Sequence, residues 1–232
     1  MSAALARPMF KSLSDVLARV GHVPTDRILV YPAPGTALEV DVFDYAITGE
    51  RVCELIYGIL VEKPMDYRDD LLATQITFAL FDYLRDDNLG AIAGARGAIK
   101  FGPNLILIPD VTFIRWDSVE DSDTIENPAG ECLEAVPDLV VEILSPGNTI
   151  AEMSIKLAEY SRAGVSLVWY VDREKKAVTV YPKGRERRKK VYGLDGTLDG
   201  GTVLPGFKLA VAKVFAKRSP PRKPGKKGVH DR

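Results

Sequence analysis

PDLVVEILSPGNTIAEMSIKLAEYSRAGVSLVWYVDREKKAVTVY, residues 137–181, carries four elements in close succession. Asp138–Leu144 is apolar after its first residue, with Glu142 the one acid inside it, which predicts a strand covered on both faces. Ser145-Pro146-Gly147-Asn148-Thr149 is turn chemistry leading into a helix over Ile150–Ala163, and Gly164 suits its left-handed cap. Ser166–Asp172 is a second buried strand and Ala177–Tyr181 a third. Strand, helix, strand in this order, with no polar alternation, predicts an α/β fold with a mixed central β-sheet flanked by helices. A sandwich or a helical bundle would show a different rhythm.

Upstream, Leu105–Arg115 and Ala91–Phe101 are apolar stretches either side of Gly102–Asn104, and the Gly-Pro-Asn turn predicts a hairpin. Asp69–Asp87 reads as a helix, with Leu71, Leu72, Ile76, Ala79, Leu80, Tyr83 and Leu84 on one face and acids at its start. Arg51–Glu62 is a strand, or two short strands about Tyr57-Gly58. Asp117–Pro137 is polar and reads as a loop. Leu204–Phe215 is the last segment expected to be ordered. Residues 37–216 are therefore taken as the domain. Residues 1–36, with a short helix over Ser12–Val20, are an N-terminal extension, and 217–232 a basic, disordered tail.

The 232 residues and a hydrophobic fraction of 46% are enough for a real core. No apolar run approaches the roughly 18 residues of a membrane span, and the N-terminus lacks a secretory h-region. Cys53 and Cys132 are far apart and fit two core or half-buried thiols in a reducing, cytoplasmic setting. The net charge is −1, but the tail from Lys217 carries +6 and the remainder −7. Lys183–Lys190 is a second basic run. Both can meet phosphates or simply be solvated.

His22 and His230 lie in the two extensions, which removes histidine-based triads, zinc sites and nucleases from the core. No phosphate-loop or dinucleotide fingerprint occurs. Carboxylate and lysine chemistry is left. Asp110, between LILIP and VTFI, and Glu142 are acids inside apolar strands, where a charge must be neutralised, paired or bound to a cation. Hard oxygen ligands without histidine favour Mg²⁺ or Mn²⁺ over zinc. Lys156, on the helix after the Glu142 strand, can fold back toward the strand's end, although periodicity alone would place it on the surface.

The stretch Pro137–Tyr181, with CELIYGILVE (53–62), IPDVTFI (108–114) and LPGFKLAVAKVF (204–215), resembles the Uma-two family of restriction endonucleases over about residues 40–216. The resemblance implies a restriction-endonuclease-like, PD-(D/E)xK nuclease fold and metal-dependent hydrolysis of phosphodiester bonds. It places the family's PD acid on Asp110, its strand glutamate on Glu142 and its helix lysine on Lys156. In the general nuclease pattern the lysine follows the glutamate by two positions, where this chain has Leu144. Glu54 matches a further acid, and Asp69 stands near the position where many members have a histidine. Asp110 and Glu142 would hold Mg²⁺ (or Mn²⁺), with nucleic acid as substrate, DNA ahead of RNA, and a homodimer acting on duplexes. Two other readings remain open. One is a non-catalytic nucleic-acid or protein-binding module that keeps the fold. The other is an assembly protein in which both acids are paired with Lys or Arg and no cleft opens onto them.

Overall fold

A computed structural model of the chain describes residues 10–48, 51–183 and 188–216. Helix α1 (Leu13–Arg19) starts at Ser12, whose side chain caps Asp15 N while Asp15 returns the bond. Helix α2 (Glu39–Thr48) follows the Pro/Gly-rich segment and was not anticipated. Strands β1 (Cys53–Ile56) and β2 (Ile59–Glu62) form a hairpin. Its turn residues Tyr57 and Gly58 have φ of 53° and 81°, the primed geometry that matches strand twist. A Cβ on Gly58 would lie 2.9 Å from the Gly35 backbone, so the position also needs glycine for space.

Helix α3 (Tyr67–Leu84) is capped by Asp66 and starts two residues before the expected Asp69. Strands β3 (Gly90–Gly94), β4 (Ile99–Gly102), β5 (Leu105–Leu107) and β6 (Val111–Arg115) follow. The short helix α4 (Asp123–Glu126) interrupts the segment expected to be loop. Next come β7 (Leu139–Leu144), α5 (Ile150–Ala163), β8 (Leu167–Asp172) and β9 (Ala177–Pro182), close to their expected bounds. Gly164 caps α5 at φ 102°. The chain closes with β10 (Lys190–Tyr192), β11 (Thr197–Asp199), β12 (Lys208–Ala210) and α6 (Val211–Val214). The tail and residues 184–187 of the second basic run lie outside the described residues.

The large sheet has the order β10-β9-β8-β7-β6-β3 and is mixed: β7 and β8 run parallel across α5, and the other pairs are antiparallel. This is the α/β architecture expected, with one difference. The predicted hairpin belongs to two sheets. Strands β4 and β5 turn about Gly-Pro-Asn into a smaller sheet, order β2-β1-β5-β4, while β3 and β6 pair in the large one. The chain changes sheets across Ile108-Pro109-Asp110. Pro109 has no N–H to give a ladder, which makes it a natural point for the switch.

Strand β7 is buried on both faces. Leu139, Val141 and Ile143 pack with Ile76 and Leu80 of α3, and Val140 packs on the other face with α5, α1 and the small sheet. Ile76 and Leu80 are fully enclosed, each contributing about 1.5–3 kcal/mol by burial. Leu71, expected on this face, is instead 46% exposed.

The segment expected as an extension also packs inward from Val16. Val16, Val20, Val23 and Ile28 join the core around α5. Gly21, at φ 76°, presses on the start of α5, where an added Cβ would meet Glu152 N at 2.3 Å. Thr149 Oγ1, the α5 cap, donates to Gly21 O.

Cys53 is buried and Cys132 partly buried, both as free thiols. Burial, and then the Glu62 carboxylate, pushes the Cys53 thiol up to about 11. Ellman's reagent near neutral pH is therefore expected to leave Cys53 unmodified in the folded chain and to react with it in denaturant. Fast modification of native Cys53 would show that β1 opens readily.

Candidate active site

Asp110 stands at the sheet switch. Val111 pairs with Val141, so the antiparallel register continues to set Asp110 opposite Glu142. The backbone completes the alignment: Asp110 N donates to Val141 O at 3.1 Å, and Asp110 Oδ2 accepts Ile143 N at 2.6 Å. Glu142 shares its face of β7 with Val140, toward α5. There Lys156 and Tyr160, four residues apart on one helix face, meet it together. Lys156 Nζ lies 3.0 Å from Glu142 Oε1, and Tyr160 OH donates to the same oxygen. Met153, Lys156 and Tyr160 form the buried stripe of α5. The 3–4 spacing that carries Lys156 inward was present in the sequence, but a lysine in a helix is read as surface by default.

Lys156 Nζ also lies 2.8 Å from Glu54 Oε1 of β1, which accepts Ile108 N at 2.9 Å. Lys63, just past β2, places Nζ 2.8 Å from Asp110 Oδ1 and donates to Ile108 O. Glu54, Lys63, Asp110, Glu142 and Lys156 thus meet where the small sheet, the large sheet and α5 converge. Three acids against two ammonium groups leave one formal negative charge. Burial raises the Glu142 pKa against the pull of Lys156 and Lys63, with Asp110 and Glu54 adding to the rise. For Lys156, burial works the other way, but Glu142 and Glu54 outweigh it and hold the ammonium above the usual lysine range.

Of the residues anticipated, Asp110, Glu142, Lys156 and Glu54 come together. Asp69 borders the group at the start of α3. Its Oδ1 is 2.6 Å from Arg173 Nη1, and its Oδ2 accepts Ser145 Oγ at 2.6 Å. Burial raises the Asp69 pKa, against Ser145 and Arg173, with Asp66 and Asp110 contributing. Lys63 and Tyr160 were not anticipated. Lys63 closes an apolar hairpin before Pro64, where sequence offers no sign of which acid it will meet.

The cluster is deep but not sealed. The Asp110 side chain is 14% exposed and lines a groove of about 380 Å³ between α3 and the β3–β4 connection. Glu142 and Lys156, each 4% exposed, lie behind it. Among the described residues no three His, Cys, Asp or Glu form a ready metal cage. Mg²⁺ does not require one, because it keeps several waters and takes one or two carboxylates. Two in-register carboxylates with no nitrogen or sulfur donor fit that cation, which would compete with the Lys63 ammonium for Asp110.

Among the described residues no helix is long and apolar enough to cross a membrane. The profile of the Uma2 family, described as "Putative restriction endonuclease", matches residues 41–212. A solved structure described as "a putative nuclease belonging to DUF820", from Anabaena variabilis ATCC 29413, aligns at 17% identity with a TM-score of 0.62. The alignment covers 72% of this chain and 90% of that one. The shared architecture is the restriction-endonuclease-like fold. Among curated proteins, none matches.

Proposed function

The chain belongs to the Uma2 family, and from that membership and the buried acid–lysine cluster we propose that it is a metal-dependent endonuclease cutting nucleic-acid phosphodiester bonds. The observation that carries this is the register that sets Asp110, just before β6, opposite Glu142 of β7, two carboxylates side by side with one of them facing an open groove. Asp110 and Glu142 would hold Mg²⁺ or Mn²⁺. When bound, the ion would supply Lewis-acid polarisation of a phosphoryl oxygen and a more acidic water.

The chain's own residues divide the remaining work. Ile143 N and Lys63 fix the two oxygens of Asp110. Lys156 and Tyr160 fix Glu142. Lys156 sits behind Glu142, so its first role is to keep that carboxylate aimed. Lys63, against the groove-facing acid, is the ammonium placed to meet charge developing on a phosphate.

Incubation of supercoiled plasmid and of single-stranded RNA with the purified chain tests this. Cleavage is expected with Mg²⁺ or Mn²⁺ and none with EDTA, with DNA cut in preference to RNA. No cleavage of either polymer with either metal would overturn the proposal. Action as a homodimer rests on the family resemblance, and sedimentation velocity of the chain tests it.

One observation favours the non-catalytic reading: Asp110 and Glu142 each lie against a lysine, as a purely structural pair would. The groove onto Asp110 counts against it. Calorimetric titration with Mn²⁺ separates the two. A metal site predicts binding that Asp110→Asn weakens, and a structural pair predicts none.

A further inference from the structure

We infer that Lys63 is a built-in competitor for the metal position: without an ion its ammonium pairs with Asp110, and a divalent cation binds there only against that charge. The inference rests on the nuclease reading for the metal and deepens it by naming the residue that sets the affinity. Asp110 Oδ2 accepts Ile143 N at 2.6 Å, and Lys63 Nζ lies 2.8 Å from Oδ1. The oxygen left for a cation is therefore the one that the ammonium already holds. Even on the second lone pair of that oxygen, an ion would stand beside a like charge.

Of the two lysines in the cluster, Lys63 is the one that can yield. Lys156 is clamped by two carboxylates, Glu54 at 2.8 Å and Glu142 at 3.0 Å. Lys63 meets a single carboxylate among the described residues, and its other partner is the Ile108 carbonyl. That carbonyl stays available when Asp110 turns to an ion, so displacement does not strip the ammonium of every acceptor. The Lys63–Asp110 pair is also the more open one, at 7% and 14% exposed against 4% or less for Glu54, Glu142 and Lys156. Charge balance points the same way. Glu54, Asp110 and Glu142 against Lys63 and Lys156 leave one negative charge. The nearest further acids do not change this, because Asp66 and Asp69 are met by Arg68 and Arg173, and Glu152 by Arg27. A divalent ion added to that sum leaves an excess of one positive charge, which the single negative charge of a phosphodiester cancels. Without Lys63 the three acids and Lys156 carry two negative charges, and the ion alone neutralises them.

The test is calorimetric titration of the full chain with Mn²⁺ alone, without nucleic acid, for wild type, Lys63→Gln, Lys63→Met and Lys63→Arg. The two neutral variants should each bind Mn²⁺ about tenfold more tightly or better, since a like charge a few ångströms away is worth at least that inside a protein. Lys63→Arg keeps the charge and should bind close to wild type. Adding Asp110→Asn to Lys63→Gln should abolish the gain, because the contest is for that carboxylate. Melting gives a second readout. In EDTA the neutral variants should melt below wild type, Asp110 having lost its counter-ion, and Mn²⁺ should raise their melting temperature more than it raises that of wild type. Lys63→Met keeps the length of the stem and Lys63→Gln keeps a polar end, so one serves if the other fails to fold. Mn²⁺ binding that is equal or weaker in the neutral variants would overturn the inference and leave the nuclease reading standing. A gain that survives Asp110→Asn would overturn it too. No binding by any of the chains would overturn both. Cleavage is not read, so a chain that shows the tighter binding and cuts nothing upholds the inference while the nuclease reading fails.

Discussion

Glu142→Gln is expected to abolish metal-dependent cleavage while leaving the chain folded. The amide has the shape of the carboxylate and can still accept from Tyr160, but it lacks the charge that a cation requires. Lys156 does not become an orphan, because Glu54 remains 2.8 Å from its ammonium. The fold therefore keeps a paired lysine in the core, and the loss should fall on chemistry. Removing a single charge-stabilising group from an active site commonly costs about 10²–10³ in rate, and a loss of at least this size is expected in single-turnover cleavage. Circular dichroism and thermal melting should stay close to wild type. If the variant cuts as well as the parent, Glu142 is only a structural partner of Lys156, and the site must be sought elsewhere. Glu142→Ala is a poorer test, since it adds a cavity to the loss of charge.

Glu152→Ala should give the largest loss of stability. Glu152 is fully enclosed, and its two carboxylate oxygens meet the Arg27 guanidinium at 2.7 and 3.1 Å. Arg27 keeps its bonds to Gly147 O and Glu62 O in the variant, but its charge is left buried without a counter-ion. Removal of one partner of a buried pair costs about 3–5 kcal/mol, or roughly 6–20 °C of melting temperature in a chain of this size. Arg27→Met/Glu152→Leu, which removes both charges, should recover most of that loss. A cost below about 1 kcal/mol for Glu152→Ala would mean that the pair is screened by solvent.

The same pair sets a pH dependence. Burial would raise the Glu152 carboxyl, but Arg27 overrides it and holds the group below the usual glutamate range. A carboxylate depressed by folding adds stability that is complete above its unfolded pKa and is lost as pH falls through the folded value. Wild-type chain should lose stability on acidification through that window more steeply than Glu152→Gln does, as followed by urea midpoints.

The central unit of the fold was legible because its signals are local. The apolar runs of β7 and β8, the capping Thr149, the 3.6-residue stripe of α5 and Gly164 each act within a few residues of themselves. Asp110 and Glu142 stood out for a related reason: an acid amid apolar residues is costly wherever that stretch ends up, although only Glu142 lies within a strand and Asp110 falls in the switch just before β6. Lys156 needed the family resemblance to lift it above an ordinary helix lysine, although its spacing from Met153 and Tyr160 already marked the buried stripe.

Other features depend on partners far along the chain. An apolar stretch says that it will be buried, not against what. Ala91–Phe101 and Leu105–Arg115 could therefore be read as strands without any sign that they divide between two sheets. Val16, Val20, Val23 and Ile28 looked like part of an extension until α5 provided their packing surface. Lys63 is the clearest case. It lies 47 residues before the acid that it meets at 2.8 Å, and a lysine at a strand end looks the same in sequence whether it faces water or a buried carboxylate. By itself the sequence determined the α/β class and the central strand–helix–strand unit, and it singled out Asp110 and Glu142 as candidates. The tertiary structure alone decided that those acids sit in register at a sheet switch, each against a lysine, with one of them open to a groove. Burial and helical period are written in neighbouring residues, whereas pairing and charge compensation exist only once distant segments have met.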